Sequence, residues 1–353
     1  MDVSWETDFL AAMGNMIGYS RVNMGFKAAL ANLGVKMNGH GAVSMQVLYP
    51  EKYYPVRDRV NVLVTMFESE VLPDFFVESL DKADVVIVPS EYCARVFRNH
   101  TDTPVYVVPL GVDHSVFHHF DRIRESGRPF RWLWAGARNP RKGWHEVVNA
   151  WFMDGEGGSF ASRSDCELFI KTLGDGESLR KEGNVITCSQ PVSDDEMARI
   201  YADADAFVFP TQGEGFGWTA IEAQATGLPC VMPLHTGMLD WADETTCIPL
   251  SYEEGGYGVM PTHGGETYPI PLLSVNVGEV RDKMEWVMRH PEEASKIALR
   301  GMERVKKYTW ESAGRTLLGI LMQLEVGSSE LAVGGMSHGN ATASSQDARI
   351  SED

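Results

Sequence analysis

The chain has 353 residues and a formal net charge of −18, with 31 Lys and Arg against 49 Asp and Glu. That length suits about two domains with separate cores, and the acidic balance argues against nucleic acid as a general partner, because such binding neutralises phosphates. No apolar run reaches the roughly 18 residues that span a bilayer, so stable membrane insertion is not expected.

The opening MDVSWETDF lacks the basic-then-apolar order of a secretory signal. Five scattered cysteines without a C-x-x-C pair suit free thiols in a reducing cytoplasm, and zinc is not expected. The charge is uneven: residues 1–125 hold 11 Lys and Arg against 16 Asp and Glu, and the remainder 20 against 33. Within the nearly neutral first part, Arg57, Arg59, Arg95 and Arg98 are too scattered for a membrane-docking patch.

Residues 14–25, GNMIGYSRVNMG, read as a glycine-rich loop around Arg21, suited to a surface turn or to close approach of a ligand. Helical spacing follows at Phe26, Ala29, Leu30 and Leu33, and Gly34 ends it. Residues 43–48 alternate in strand fashion. Residues 60–66, VNVLVTM, read as a buried strand with Glu68 and Glu70 beyond its carboxyl end, where ligands of open α/β sheets gather. A helix through Phe75, Phe76, Leu80 and Ala83, a strand at 84–90, a helix at 91–98 and a strand at 105–113 follow. Short apolar strands alternating with helices predict a parallel, doubly wound sheet.

Residues 114–129 are polar and read as a linker, after which 131–136, RWLWAG, open a second set of strands. The turn ARNPRKG at 137–143 carries Arg138, Arg141 and Lys142 ahead of a helix, a combination suited to pyrophosphate. Strands are expected at 168–172 and 184–187, with Gly174 and Gly176 in the turn between them. Ser193 and Glu196 make a capping box. Asp203 and Asp205 form a D-x-D pair of the kind that can hold Mg²⁺. Their place between a helix and a strand reads as an acidic corner instead, and no catalytic metal is expected.

Residues 206–209, AFVF, are a short buried strand running into 210–229, PTQGEGFGWTAIEAQATGLP. A glycine loop feeding a helix sets free backbone N–H groups and the positive helix end against an anion. Glu214 in the loop and Glu222 in the helix bracket the turn. A phosphate and a neutral polyol fit between them. Beyond lie a strand at 230–233, a tight loop at 235–238, an irregular Gly- and Tyr-rich insertion at 251–268, and three helices. The stretch from 327 is poor in large apolar residues and reads as disordered.

The pattern Glu214-Gly-Phe-Gly-x4-Glu222-Ala-x-Ala-x-Gly-x-Pro resembles the E-x7-E signature of retaining GT-B glycosyltransferases of family GT4. Lys142-Gly143, Asp84-x4-Pro-Ser and Pro109-x-Gly-Val-Asp are similar to further motifs of that family, so that the likeness covers about residues 15–325. It implies two Rossmann-like doubly wound domains facing across a cleft, with a C-terminal helix crossing back. The bounds expected are 1–120 for an acceptor domain, 121–129 for a linker and 130–310 for a donor domain. The crossing helix is expected at 311–326 and the tail at 327–353.

It further implies metal-independent transfer of a sugar from a nucleotide diphosphate sugar, UDP- or GDP-linked, to a hydroxyl of a saccharide, protein or small molecule. Lys142 with Arg138 or Arg141 would meet the diphosphate, Glu214 the sugar and Glu222 the ribose. Backbone of Gly215, Phe216, Gly217, Trp218 and Thr219 would assist, and Val192 would line the nucleobase. Many members carry a His near the position of Phe67 and Glu68; this chain has none there, and Glu68 is the candidate for that role. Alternatives are glycosylation of a modified base in viral DNA, a GT-B nucleotide-sugar epimerase, and an inert GT-B binding subunit.

Overall fold

The computed structural model describes residues 1–5, 18–37, 41–122, 127–155, 157–173, 179–261 and 267–336. Runs such as VNVLV and VVIV have no polar face, so both sides need cover, which a parallel sheet between helices supplies. The first sheet has six parallel strands: β1 (Asp2–Trp5), β2 (Lys36–Met37), β3 (Val43–Val47), β4 (Val60–Val64), β5 (Val85–Val88) and β6 (Val105–Val107). They lie in the order 2-1-3-4-5-6. Helices α1 (Gly18–Asn32), α2 (Asp74–Leu80) and α3 (Glu91–Arg98) belong to this half.

The second sheet holds β7 (Phe130–Ala135), β8 (Cys166–Lys171), β9 (Arg180–Glu182), β10 (Val185–Cys188), β11 (Ala206–Val208), β12 (Cys230–Pro233) and β13 (Ile248–Leu250). Their order is 13-12-11-7-8-10-9, parallel throughout except for β9 at the edge. The chain winds to one side after β7 and to the other from β11, so the gap between these two strands is the topological switch point. Around this sheet lie α4 (Trp144–Phe152), α5 (Asp194–Asp203), α6 (Trp218–Ala225), α7 (Val277–Arg289) and α8 (Pro291–Val305). The two halves are Rossmann-like and face each other across a cleft.

The last helix, α9 (Trp310–Met336), crosses back onto α1. Its first residue fastens the halves: the Trp310 ring meets Phe26 edge-on at 5.5 Å and Trp218 at 5.5 Å. Just before it, the amide of Val112 donates to the Tyr308 carbonyl at 2.9 Å.

Four expectations change. Residues 18–25 are helical rather than a loop, with Gly25 inside α1 because the Trp310 ring lies where a side chain would be; a Cβ there would stand 2.3 Å from it. Residues 14–17 lie outside the described residues, as do Gly174 and Gly176. The insertion is regular: β14 (Tyr252–Pro261) and β15 (Thr267–Val275) pair as an antiparallel hairpin. Prolines 261, 269 and 271 mask it in the sequence, yet both strands have a free edge on which a missing N–H costs nothing. Its inner side chains, Ile270 and Leu272, bury against Phe67 and Phe76 of the first half. The Ser69 hydroxyl also donates to the Pro271 carbonyl at 2.6 Å. Helical backbone runs ten residues past 326, to Met336, and residues 337–353 lie outside the described residues. Finally, the stretch after Asp113 is anchored, with Phe117 only 1% exposed and Arg122 donating to the carbonyl of Thr226 at 2.8 Å.

At the acidic corner, Asp205 accepts from Arg128 at 2.6 Å and from the Arg131 amide at 2.7 Å, which uses its carboxylate structurally. The five cysteines are free and buried.

Candidate functional site at the switch point

The loops that leave β7 and β11 meet at the switch point and are stitched together by the backbone. The Gln212 amide donates to the Arg141 carbonyl at 2.7 Å, and the Thr211 hydroxyl oxygen lies 3.1 Å from the same oxygen. Pro140–Lys142 form one tight turn, capped by the Asn139 side chain, which accepts from the Arg141 amide at 3.0 Å. Gly143 ends that turn at φ 71°, and a Cβ there would sit 2.0 Å from the Pro210 carbonyl oxygen. Only glycine fits such a place. Lys142 and Arg141 therefore leave one rigid turn side by side.

Both converge on Glu214. Lys142 Nζ lies 2.7 and 2.8 Å from its two carboxylate oxygens, Arg141 Nη1 lies 3.2 Å from Oε1, and the Thr211 hydroxyl donates to Oε1 at 3.0 Å. Burial pushes the Glu214 carboxyl up, but the charges of Lys142 and Arg141 outweigh it and hold the group below the usual carboxylate range. Burial pulls the Lys142 ammonium down against the opposing charge of Glu214. Arg141 also reaches the other half of the molecule, with Nη2 at 2.9 Å from Oε1 of Glu68. Beneath the loop, the Glu214 amide donates to the Thr236 hydroxyl at 3.0 Å, and His235 Nε2 meets the Thr211 carbonyl at 2.9 Å. Burial lowers His235 to about 4, so the ring is neutral at pH 7 and Nε2 carries the donated proton.

Glu222 stands a little over one turn into α6, 1% exposed, with its carboxyl pushed up by burial and pulled down by Arg21. Arg21 Nη2 lies 2.9 Å from Glu222 and 3.0 Å from Asp194, and the Tyr201 hydroxyl donates to the other Glu222 oxygen at 3.4 Å. The helix begins after Gly217, at φ 83°, so its first amides face the cleft beside Glu214.

These groups line one cavity of about 600 Å³ between the halves. Glu68, Arg141, Lys142, Val192, Glu214, Gly215, Phe216, Gly217, Trp218, Thr219 and Glu222 all border it. Arg138 does not: its side chain is exposed and its guanidinium lies 5.7 Å from the ring centre of Trp144. Glu70, the other strand-end candidate, pairs with Arg95 at 2.7 Å on an exposed surface. Tyr19, Met66, Lys171 and Thr172 also border the cavity and were not singled out. Lys171 ends β8, and the strand-end argument that marks Glu68 could have marked it as well.

A model of the family described as "Family 4 Glycosyltransferase in conflict systems" matches residues 181–317. The chain is 34% identical over 191 residues to the D-inositol 3-phosphate glycosyltransferase of Arthrobacter sp. (strain FB24), which covers 44% of each chain. It is 28% identical over 155 residues to the sulfoquinovosyl transferase of Arabidopsis thaliana, covering 42% of this chain and 26% of that one. The chain thus spans less than half the length of these curated relatives. Among solved structures, sucrose-phosphate synthase from Thermosynechococcus elongatus superposes with a TM-score of 0.60 at 17% identity, covering 88% of this chain and 79% of that one. Anabaena HepE in complex with UDP-glucose gives a TM-score of 0.57 at 13% identity, covering 75% and 72%.

Proposed function

We propose that the chain is a GT-B glycosyltransferase of family 4 that transfers a sugar from a nucleotide diphosphate sugar to a hydroxyl acceptor with retention of configuration. The observation that carries this reading is the buried Glu214 held at once by Lys142 and Arg141 at the switch point. Two cations on a rigid turn meet the charge that develops on a leaving diphosphate, where fixed electrostatics lower a barrier most. A carboxylate kept ionised beside them accepts from hydroxyls of the sugar. The amides that open α6 add donors to the phosphates.

In this assignment the diphosphate draws Lys142 and Arg141 away from Glu214 and frees its lone pairs for the sugar. Arg141, and not Arg138, takes the arginine role, because only Arg141 borders the cavity. Glu222 accepts from the ribose hydroxyls, and Val192 lies against the base. Glu68 stands on the acceptor side, tied to Arg141. No divalent cation is needed in this scheme, since side chains supply the positive charge. The acceptor domain takes residues 1–120 and the donor domain 130–310, joined by a linker at 121–129 and a crossing helix from about 311.

UDP- or GDP-sugars are the donors proposed, and a neighbour of this fold has been solved with UDP-glucose. A thermal-shift panel of UDP, GDP, ADP and TDP sugars tests the reading, because a ligand that binds only the native state raises the melting temperature. A shift with one nucleotide series, together with release of free sugar from that donor, is expected. No shift with any of them overturns the assignment. Product analysis with donor alone separates transfer from epimerisation.

A further inference from the structure

Among the described residues that border the cleft, Arg21 is the one cation supplied by the first half of the molecule. Its guanidinium spans the gap: it pairs with Glu222 at 2.9 Å and Asp194 at 3.0 Å, and its Cζ lies 4.3 Å from the ring centre of Trp218. All three partners belong to the second half. Arg21 sits in the first turn of α1, and that helix is fixed by the Phe26 and Trp310 contact and by Trp5, whose indole N–H donates to Asn23 at 2.7 Å. The guanidinium is therefore held from one half and spent on the other.

Glu222 needs such a partner. An ionised carboxylate that is 1% exposed is costly unless paired, and Tyr201 gives it only a long hydrogen bond of 3.4 Å. A planar guanidinium can lie flat on Trp218 and still point N–H groups at two carboxylates, which a lysine ammonium cannot do.

We propose that Arg21 is a cross-domain positioning residue for the donor: it holds Glu222 aimed at the ribose, so that the nucleotide is gripped fully only when the two halves are together. The inference rests on the reading of Glu222 as the ribose acceptor. It makes donor affinity depend on a side chain outside the domain that seats the nucleotide. The ribose hydroxyls donate to Glu222 while Arg21 keeps its hold through Oε1 and Asp194.

The test is calorimetric titration of UDP, GDP and ADP into the full chain and into R21Q, R21K, E222Q and R21Q/E222Q, at about pH 8 and about pH 6, with donor KM and kcat measured alongside. R21Q is expected to weaken the nucleotide that the wild type takes up by roughly 10-fold at about pH 8 and further at about pH 6, because burial pushes the unpaired Glu222 carboxyl up. The loss should appear in donor KM more than in kcat. R21K should recover part of it, and it carries the test if melting curves show R21Q unfolded. The double variant should be no weaker than E222Q, because Arg21 acts through Glu222. Wild-type affinity in R21Q at both pH values with a weak E222Q overturns the inference and leaves the ribose reading standing. Wild-type affinity in E222Q overturns the ribose reading itself. Additive losses in the double variant overturn action through Glu222.

Discussion

Lys142 holds both carboxylate oxygens of Glu214, at 2.7 and 2.8 Å, in a cavity that Arg141 closes from the side. The cation proposed for the diphosphate and the carboxylate proposed for the sugar thus satisfy each other. In that assignment each is released when the donor binds.

Replacing Lys142 by Ala should lower kcat by roughly 100- to 1,000-fold, the usual loss when one fixed donor to developing charge is removed. The fold should survive, since the Lys142 carbonyl, and not its side chain, holds the Trp134 indole at 3.1 Å. Steady-state rates with circular dichroism check both halves of this expectation. A K142A enzyme of near-normal rate would sink the proposed role.

The two arginines of the turn should separate cleanly. R141A should lose most of its activity, whereas R138A should stay within about 3-fold of wild type, because an exposed cation on an aromatic face contributes only about 0.5–1 kcal/mol. Parallel donor titrations of the two variants decide it. The opposite order would return the role to Arg138.

Trp310 joins α9 to Phe26 of the first half and Trp218 of the second. W310A should cost about 3 kcal/mol of stability and raise donor KM, because the cleft loses the pin that sets its closure. G25A should be similarly harmful, since its methyl would stand 2.3 Å from the Trp310 ring. Urea denaturation of both variants measures the effect, and unchanged midpoints would refute it.

His235 gives a pH signature. Its folded pKa of about 4 lies below the ordinary 6.5. The unfolded chain therefore binds a proton first as pH falls, and stability that is full above about 6.5 is lost towards about 4. The full shift corresponds to about 3 kcal/mol. In H235Q, whose amide can still donate to Thr211, that share of the pH dependence should vanish. Denaturation curves at pH 7 and pH 5 should show the wild-type advantage shrinking; a constant difference would contradict the assignment.

Much of this was readable from the chain because it is local. Apolar runs such as VNVLV and VVIV need cover on both faces, which dictates parallel strands between helices. Gly143 and Gly217 occupy left-handed backbone, which marks the turns that precede α4 and α6 in the sequence itself. The Glu214 and Glu222 spacing fixes one group in the loop and one in the helix. The hairpin at 252–275 escaped because its prolines hide a strand whose free edges tolerate them.

What the sequence by itself determined was the set of chemical groups and the local turns that hold them. Which cation faces the cavity was decided by the tertiary structure: two side chains three residues apart, Arg138 and Arg141, leave one turn in different directions, and only packing of the β11 loop selects Arg141. The same holds for Arg21 and Glu222, 201 residues apart. Their pairing depends on α9 crossing back and on Gly25 making room for Trp310. Periodicity and spacing report a residue's neighbours along the chain; an ion pair across a cleft depends on how two separately folded sheets are brought face to face.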